Sequence, residues 1–235
     1  MKNQKSFIMA AAKKKKGGFT RKAIKNNANM QVVRDSNTEF SMCSIFLKEF
    51  KIALRPILCH FRVGSLHQGL MQLFLKIKAL DRDSPAGALQ VSGGLRTKKG
   101  QLLLREFTFT PKVGIRQFFG NPVIDPDDFT VSWEDFTASQ ARFPKAATHL
   151  EILYLVLTYQ RDRKQFLTVS SVPIRRSKSA ETEHLKLQPT KPVARGPELQ
   201  HILVMSLRFM EVIGEEEYPL LGKDSLGIEV LEVFG

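Results

Sequence analysis

The segment Ala147–Gln160, "ATHLEILYLVLTYQ", constrains this chain more than any other stretch. Read as a strand, it sends Leu150, Ile152, Tyr154 and Val156 to one side and Leu153, Leu155, Leu157 and Tyr159 to the other. A sheet face open to water alternates to polar residues, so a strand that is apolar on both sides needs a cover on each. A helix is the competing reading, because Thr148 and Glu151 are spaced as a capping pair and leucine suits helices equally well. The strand is favoured by the residues next in the chain: "YQRDRKQF" reads as a polar hairpin turn into a second extended run, "FLTVSSVPI".

A cover is available in the front of the chain. Phe40, Cys43, Leu47, Phe50, Leu54, Ile57 and Phe61 recur at spacings of three and four, which predicts one apolar stripe on a helix capped by Ser36 or Thr38. Pro56 should kink that helix or end its regular part near Arg55. "RVGS" breaks it, Ser65 and Gln68 form a capping-box pattern, and Leu66, Leu70, Leu73, Ile77 and Leu80 line a second helix. A short turn between two amphipathic helices makes an antiparallel hairpin. After the loop "DRDSPAGALQVSGG", Thr97–Leu104 reads as one more short helix.

From Glu106 the period changes to two. Phe107 and Phe109 alternate with threonines, and Phe129, Val131 and Trp133 with Thr130, Ser132 and Glu134. Leu150–Tyr159, Phe166–Ile174, His184–Leu187, Ile202–Ile213 and Gly227–Phe234 complete about seven strands, a number that fits an antiparallel immunoglobulin-like or fibronectin-like sandwich. The expected fold is therefore α+β: a flexible basic arm (1–37), a helical region (38–105) and a beta-sandwich (106–235), with the helical hairpin or another subunit over the second face of the long strand.

The net charge of +13 is unevenly placed. Residues 1–105 hold 21 Lys and Arg against 5 Asp and Glu, a net +16, whereas residues 106–235 hold 15 against 18, a net −3. The basic half suggests an anionic partner. Lys13, Lys14, Lys15, Lys16, Arg21, Lys22 and Lys25 are the candidate polyanion contacts. They would grip phosphates without reading sequence, and no zinc finger, recognition helix or interleaved aromatic accompanies them. A solvated tail, or a tail that packs on an acidic protein, is the alternative.

The opening "MKNQKSFIMAAAKKKKGG" imitates a signal peptide, but its apolar run stops at Lys13, short of the roughly 7–15 residues needed. Met9 is an alternative start. No apolar run reaches the roughly 18 residues of a membrane span. Two cysteines, Cys43 and Cys59, rule out a disulfide scaffold and point to reduced thiols and a cytoplasmic setting.

Four further motifs invite chemistry. "GGLRTKKG" lacks the Lys-Ser/Thr that must follow the last Gly of a nucleotide loop, which leaves a helix cap or an anion site near Lys98 and Lys99. Asp125, Asp127 and Asp128 offer oxygen ligands without the Gly and distant Glu of a calcium loop, and otherwise read as a turn. Cys43, Cys59, His60 and His67 are too scattered for zinc, and Trp133 reads as core. His149, His184 and His201 each open a strand with no nucleophile motif beside them.

The stretches "LFLKIKALDRDSPAGALQVSGGLRTKKGQLLLREFTFTP", "FPKAATHLEILYLVLTY" and "MSLRFMEVIGEEEYPL" resemble a family of uncharacterised bacterial proteins of the Bacteroidota type. The shared features are a helix ending at an Asp, the Gly-Leu-x-Thr-x-x-Gly run Gly94–Gly100, an aromatic strand, and Pro-x-x-Ala-Thr-His leading into the long strand. The resemblance spans residues 19–235 and implies a helical front and a beta-rich back, with no activity, cofactor or residue role attached. The motifs offer no acid-base, nucleophile or metal constellation. The expected function is a non-enzymatic interaction or structural module with a protein partner, the alternative a sequence-independent nucleic-acid-binding accessory protein.

Overall fold

In the computed structural model, which describes residues 20–59 and 66–235, the front of the chain is helical and the back is sheet. Thr20 caps α1 (Arg21–Asn26) by accepting the Ala23 N–H at 3.2 Å, and a short 3-10 turn then leads into α2 (Gln31–Ala53). Of the flexible basic arm expected through residue 37, residues 21–37 are instead helical, apart from Asn27 between the first two helical segments. The low apolar density of that stretch is offset by polar bonds: Arg34 donates to the carbonyls of Ile24 and Asn27, closing the open end of α1. Lys13–Lys16, the helical residues His60 and Phe61 expected at the end of the apolar stripe, and the expected turn 62–65 with its cap Ser65 lie outside the described residues.

Pro56 does interrupt the first long helix, which ends at Ala53 and resumes as α3 (Arg55–Leu58) with the proline in its first turn. Cys43, Leu47, Phe50, Leu54 and Ile57 are buried as their spacing predicts, but Phe40 is 51% exposed and Phe46 takes an inward place. Glu39 explains the rotation at this end. Its carboxylate turns inward, pairs with Lys78 of α4 (Leu66–Lys78) and accepts the Gly87 N–H at 2.8 Å. Glu39 meets Lys78 while the Cys43 thiol sits 4.0 Å from the Phe74 carbonyl oxygen, so the two helices run antiparallel. α5 (Val91–Leu95), α6 (Lys98–Arg105) and α7 (Ile115–Phe119) follow.

Phe107–Thr110 is not a strand. Both Phe rings turn to the helical core, where Phe107 stacks edge-on with Phe109 at 4.9 Å, and Thr110 Oγ1 accepts the Ile228 N–H at 2.9 Å. Side chain to edge-strand bonding replaces the backbone ladder that their alternation suggested.

Among the described residues, nine strands complete the chain: β1 (Val123–Ile124), β2 (Val131–Phe136), β3 (His149–Gln160), β4 (Gln165–Ser170), β5 (Ile174–Ser177), β6 (Glu183–Leu187), β7 (Leu199–Ile213), β8 (Glu216–Pro219) and β9 (Leu226–Phe234). β3 and β7 pair antiparallel from His149–Met210 to Gln160–Leu199 and form the centre of a six-stranded sheet. β4 and β5 share the outer edge of β3, while β9 and β8 share that of β7. A register shift at Leu203 and Val204 marks a bulge, which strengthens the curl of this sheet. β1, β2 and β6 make a separate three-stranded sheet.

The long strand therefore has its two covers. Leu155, Leu157 and Tyr159 join Phe46, Phe50, Leu70, Phe74 and Leu104 in one core under the helices. Leu150, Ile152, Tyr154 and Val156 join Trp133, Leu185, Leu187 and Phe119 in a second core under the small sheet and α7. The architecture is α+β in three layers: helices, curled sheet, small sheet. No described helix is long and apolar enough to cross a membrane.

Candidate interaction surface

The helix that covers the sheet leaves its other side to solvent. With the core stripe of α2 at Cys43, Phe46, Leu47 and Phe50, the 3.6-residue period places Ile45, Lys48 and Ile52 on the opposite side. Ile45 is 46% and Ile52 53% exposed, and Lys48, Lys51 and Arg55 stand exposed among them. Beside Ile45 a groove opens between α2 and the β3–β4 turn, lined by Met42, Phe46, Tyr159 and Lys164. At the N-terminal end, α1 adds the exposed Arg21, Lys22 and Lys25. Three of the seven candidate polyanion contacts are thus held in place next to α2, and the other four, Lys13–Lys16, lie outside the described residues. Ile45 and Ile52 stand off the expected apolar stripe, on the opposite side of the helix. Their spacing of seven, with Lys48 between, is the signal that could have found them.

At the opposite end of the long strands, the β7–β8 hairpin bears charge of the reverse sign. The β7–β8 hairpin turns at Gly214, whose φ of 65° suits glycine, and carries Glu215, Glu216 and Glu217 with the exposed Ile213, Tyr218 and Leu221.

The other candidate motifs resolve into structure. Thr97 Oγ1 accepts the Gly100 N–H at 3.0 Å and donates to the Gly94 carbonyl at 2.7 Å, so the start of α6 is capped from within. A Cβ on Gly94 would lie 1.8 Å from the Ile77 carbonyl oxygen, and one on Gly100 2.1 Å from that of Gly94, so close packing demands both glycines. Asp125 accepts the Asp127 N–H and Asp128 the Thr130 N–H, each at 2.8 Å, which closes the β1–β2 turn. No group of three or more His, Cys, Asp or Glu gathers to hold a metal among the described residues. Both cysteines are free thiols, Cys43 buried and Cys59 exposed. Burial pushes the Cys43 thiol up to about 11.

His149 and His184 stay near the surface, whereas His201 is buried with Nδ1 3.1 Å from Thr158 Oγ1. Burial, aided by the Arg195 guanidinium, pulls its pKa down to about 4 and keeps the ring neutral. Phe129 lies over it with ring centroids 4.8 Å apart and holds a φ of 59°, rare for so bulky a residue. That backbone is held by the Tyr154 hydroxyl, which donates to the Phe129 carbonyl at 2.8 Å, and by Arg195 over the ring at 4.5 Å. Trp133 is buried in the second core.

One buried charge cluster was missed by sequence reasoning. Glu151 shares the β3 face of Leu153, Leu155 and Leu157, and there it meets Arg175 of β5 at 2.8 Å and Arg208 of β7. Burial alone would raise its carboxyl pKa, but the two arginines outweigh burial and hold it below the ordinary value. Arg175 continues the row to Glu217 of β8. A lone acid inside an apolar strand was the available signal.

Comparison of the chain with protein-family models, with curated proteins and with solved structures returns no match.

Proposed function

We propose that this protein is a non-enzymatic interaction module whose docking surface is the outward face of α2 with the cations of α1. The curled sheet and its smaller companion, a sandwich in the immunoglobulin-like sense, are the rigid support and present a second surface at the β7–β8 hairpin. The observation that carries the reading is the pair Ile45 and Ile52, half exposed among Lys48, Lys51 and Arg55. Phosphate binding needs cations alone, whereas a protein segment with both acids and apolar anchors uses isoleucines as well. The partner that fits is an acidic, amphipathic protein segment, met in the cytoplasm. We also propose, on the strength of the Gly94–Gly100 run and the Pro-x-x-Ala-Thr-His entry to β3, that the chain belongs with the Bacteroidota-type proteins it resembles.

The second reading, a nucleic-acid accessory role through Lys13–Lys16, Arg21, Lys22 and Lys25, is supported by the exposure of the last three on one short helix. One experiment separates the two. A synthetic helical peptide with a Leu stripe among Glu residues, polyglutamate, and duplex DNA are each titrated against the full chain. The docking reading expects the peptide to bind best and Ile45→Asp or Ile52→Asp to weaken it by about tenfold or more. If DNA binds best, with a steep salt dependence lost on Ala replacement of the seven cations and with both Ile variants unchanged, the second reading replaces it.

A further inference from the structure

We propose that the acidic segment recognised by α2 is the β7–β8 hairpin of a second copy of this chain, so that copies join head to tail. This rests on the docking surface of α2 and names its partner. Among the described residues, Lys48, Lys51 and Arg55 form no ion pair, and neither does Glu215 at the hairpin. Apolar side chains accompany the charge at both ends: Ile45 and Ile52 on α2, and Ile213, Tyr218 and Leu221, at 61%, 45% and 71% exposure, on the hairpin. Each surface thus offers what the other lacks, opposite charge around exposed apolar groups.

The sheet keeps these two surfaces apart within one copy. α2 lies over the Tyr159 end of β3, where Phe46 meets the Tyr159 ring at 4.9 Å. The hairpin extends beyond the other end, past the His149–Met210 pair. Twelve strand residues at roughly 3.3 Å each separate the ends by about 40 Å. A helix face and a hairpin tip are different surfaces, so their contact is heterologous. Joined by one such contact, a pair of copies keeps one helix face and one hairpin free, so head-to-tail joining adds further copies or closes into a larger ring, whereas two copies paired reciprocally about a two-fold axis stop at a dimer.

Sedimentation velocity of the full chain over a concentration series, at low and at high salt, tests this. The expected result is a mean mass that climbs with concentration beyond the dimer at low salt and returns to the monomer at high salt. Lys48→Glu with Lys51→Glu, and separately Glu215→Lys with Glu216→Lys, each abolish growth. Their mixture regains growth, because each native end meets its native counterpart and the reversed helix face meets the reversed hairpin. All four positions are exposed, and circular dichroism verifies that the variants fold. A chain that stays monomeric throughout, a mass that levels off at the dimer, or growth indifferent to both variants overturns the inference. A monomeric chain that still binds the Leu–Glu peptide in an Ile52-dependent way removes this partner but leaves the docking surface standing. Loss of both removes the surface as well.

Discussion

Glu151 and His201 are two buried titratable residues with opposite solutions to burial. Glu151 stays charged because Arg175 and Arg208 flank it in adjacent strands, and stripping its charge leaves Arg208 with no counter-charge among the described residues and Arg175 with Glu217 alone. Glu151→Gln should therefore cost about 3 kcal/mol in chemical denaturation. Its pKa is depressed, so its contribution is complete above the ordinary 4.5 and is lost as pH falls through the lowered folded value. His201 stays neutral. The unfolded chain takes up a proton near 6.5 and the folded chain only near 4, so stability falls as pH drops through that window. Unfolding midpoints measured from neutral pH down to about 4 should show this slope, and His201→Gln, which keeps a partner for Thr158, should flatten it. An unchanged slope in the variant would assign the acid sensitivity elsewhere.

Among the secondary-structure elements, α5 and α6 each hold a glycine that close packing demands, Gly94 and Gly100. Gly94→Ala should destabilise by about 2–3 kcal/mol, since its new methyl meets backbone and cannot be relieved by a rotamer. Thermal unfolding beside an exposed control, Gly120→Ala, whose φ is positive but whose Cβ meets nothing, separates packing from backbone strain. The long strand was legible in the sequence because both of its faces are apolar, and so was the need for two covers. The helix stripe was legible from Cys43 to Ile57, but not at Phe40, where a buried ion pair outweighed periodicity. The extent of α1 and α2 was hidden because Arg34 holds them by polar bonds. α7 was hidden for a similar reason: the Glu229 carboxylate, distant in sequence, accepts the Ile115 N–H at 2.8 Å and the Arg116 N–H at 3.1 Å at its start. The Phe107–Thr110 run alternates like a strand, yet its rings belong to the helical core. Of the proposed docking surface, the cations of α1 were visible as charge density, but the isoleucines became visible only once the core stripe was known.

The whole molecule is built around one sheet that cannot stand exposed on either side. Helices and small sheet do not touch the same face, yet both cores are made from the alternating side chains of β3 and β7. Loss of either layer uncovers Leu, Ile and Val side chains worth roughly 1.5–3 kcal/mol each, so the three layers should unfold together. This arrangement also holds the basic helix face and the acidic hairpin a fixed distance apart, which head-to-tail joining requires. Cooperativity between the layers is the central claim, and the chain has a built-in reporter for it. Trp133 is its single tryptophan and lies in the core beneath the small sheet, whereas far-ultraviolet circular dichroism reports chiefly on the helices across the sheet. Urea unfolding followed by both signals should give coincident transitions with one midpoint and one slope. Helical signal lost at lower urea than the Trp133 signal would show the helices to be a separable layer and contradict the account.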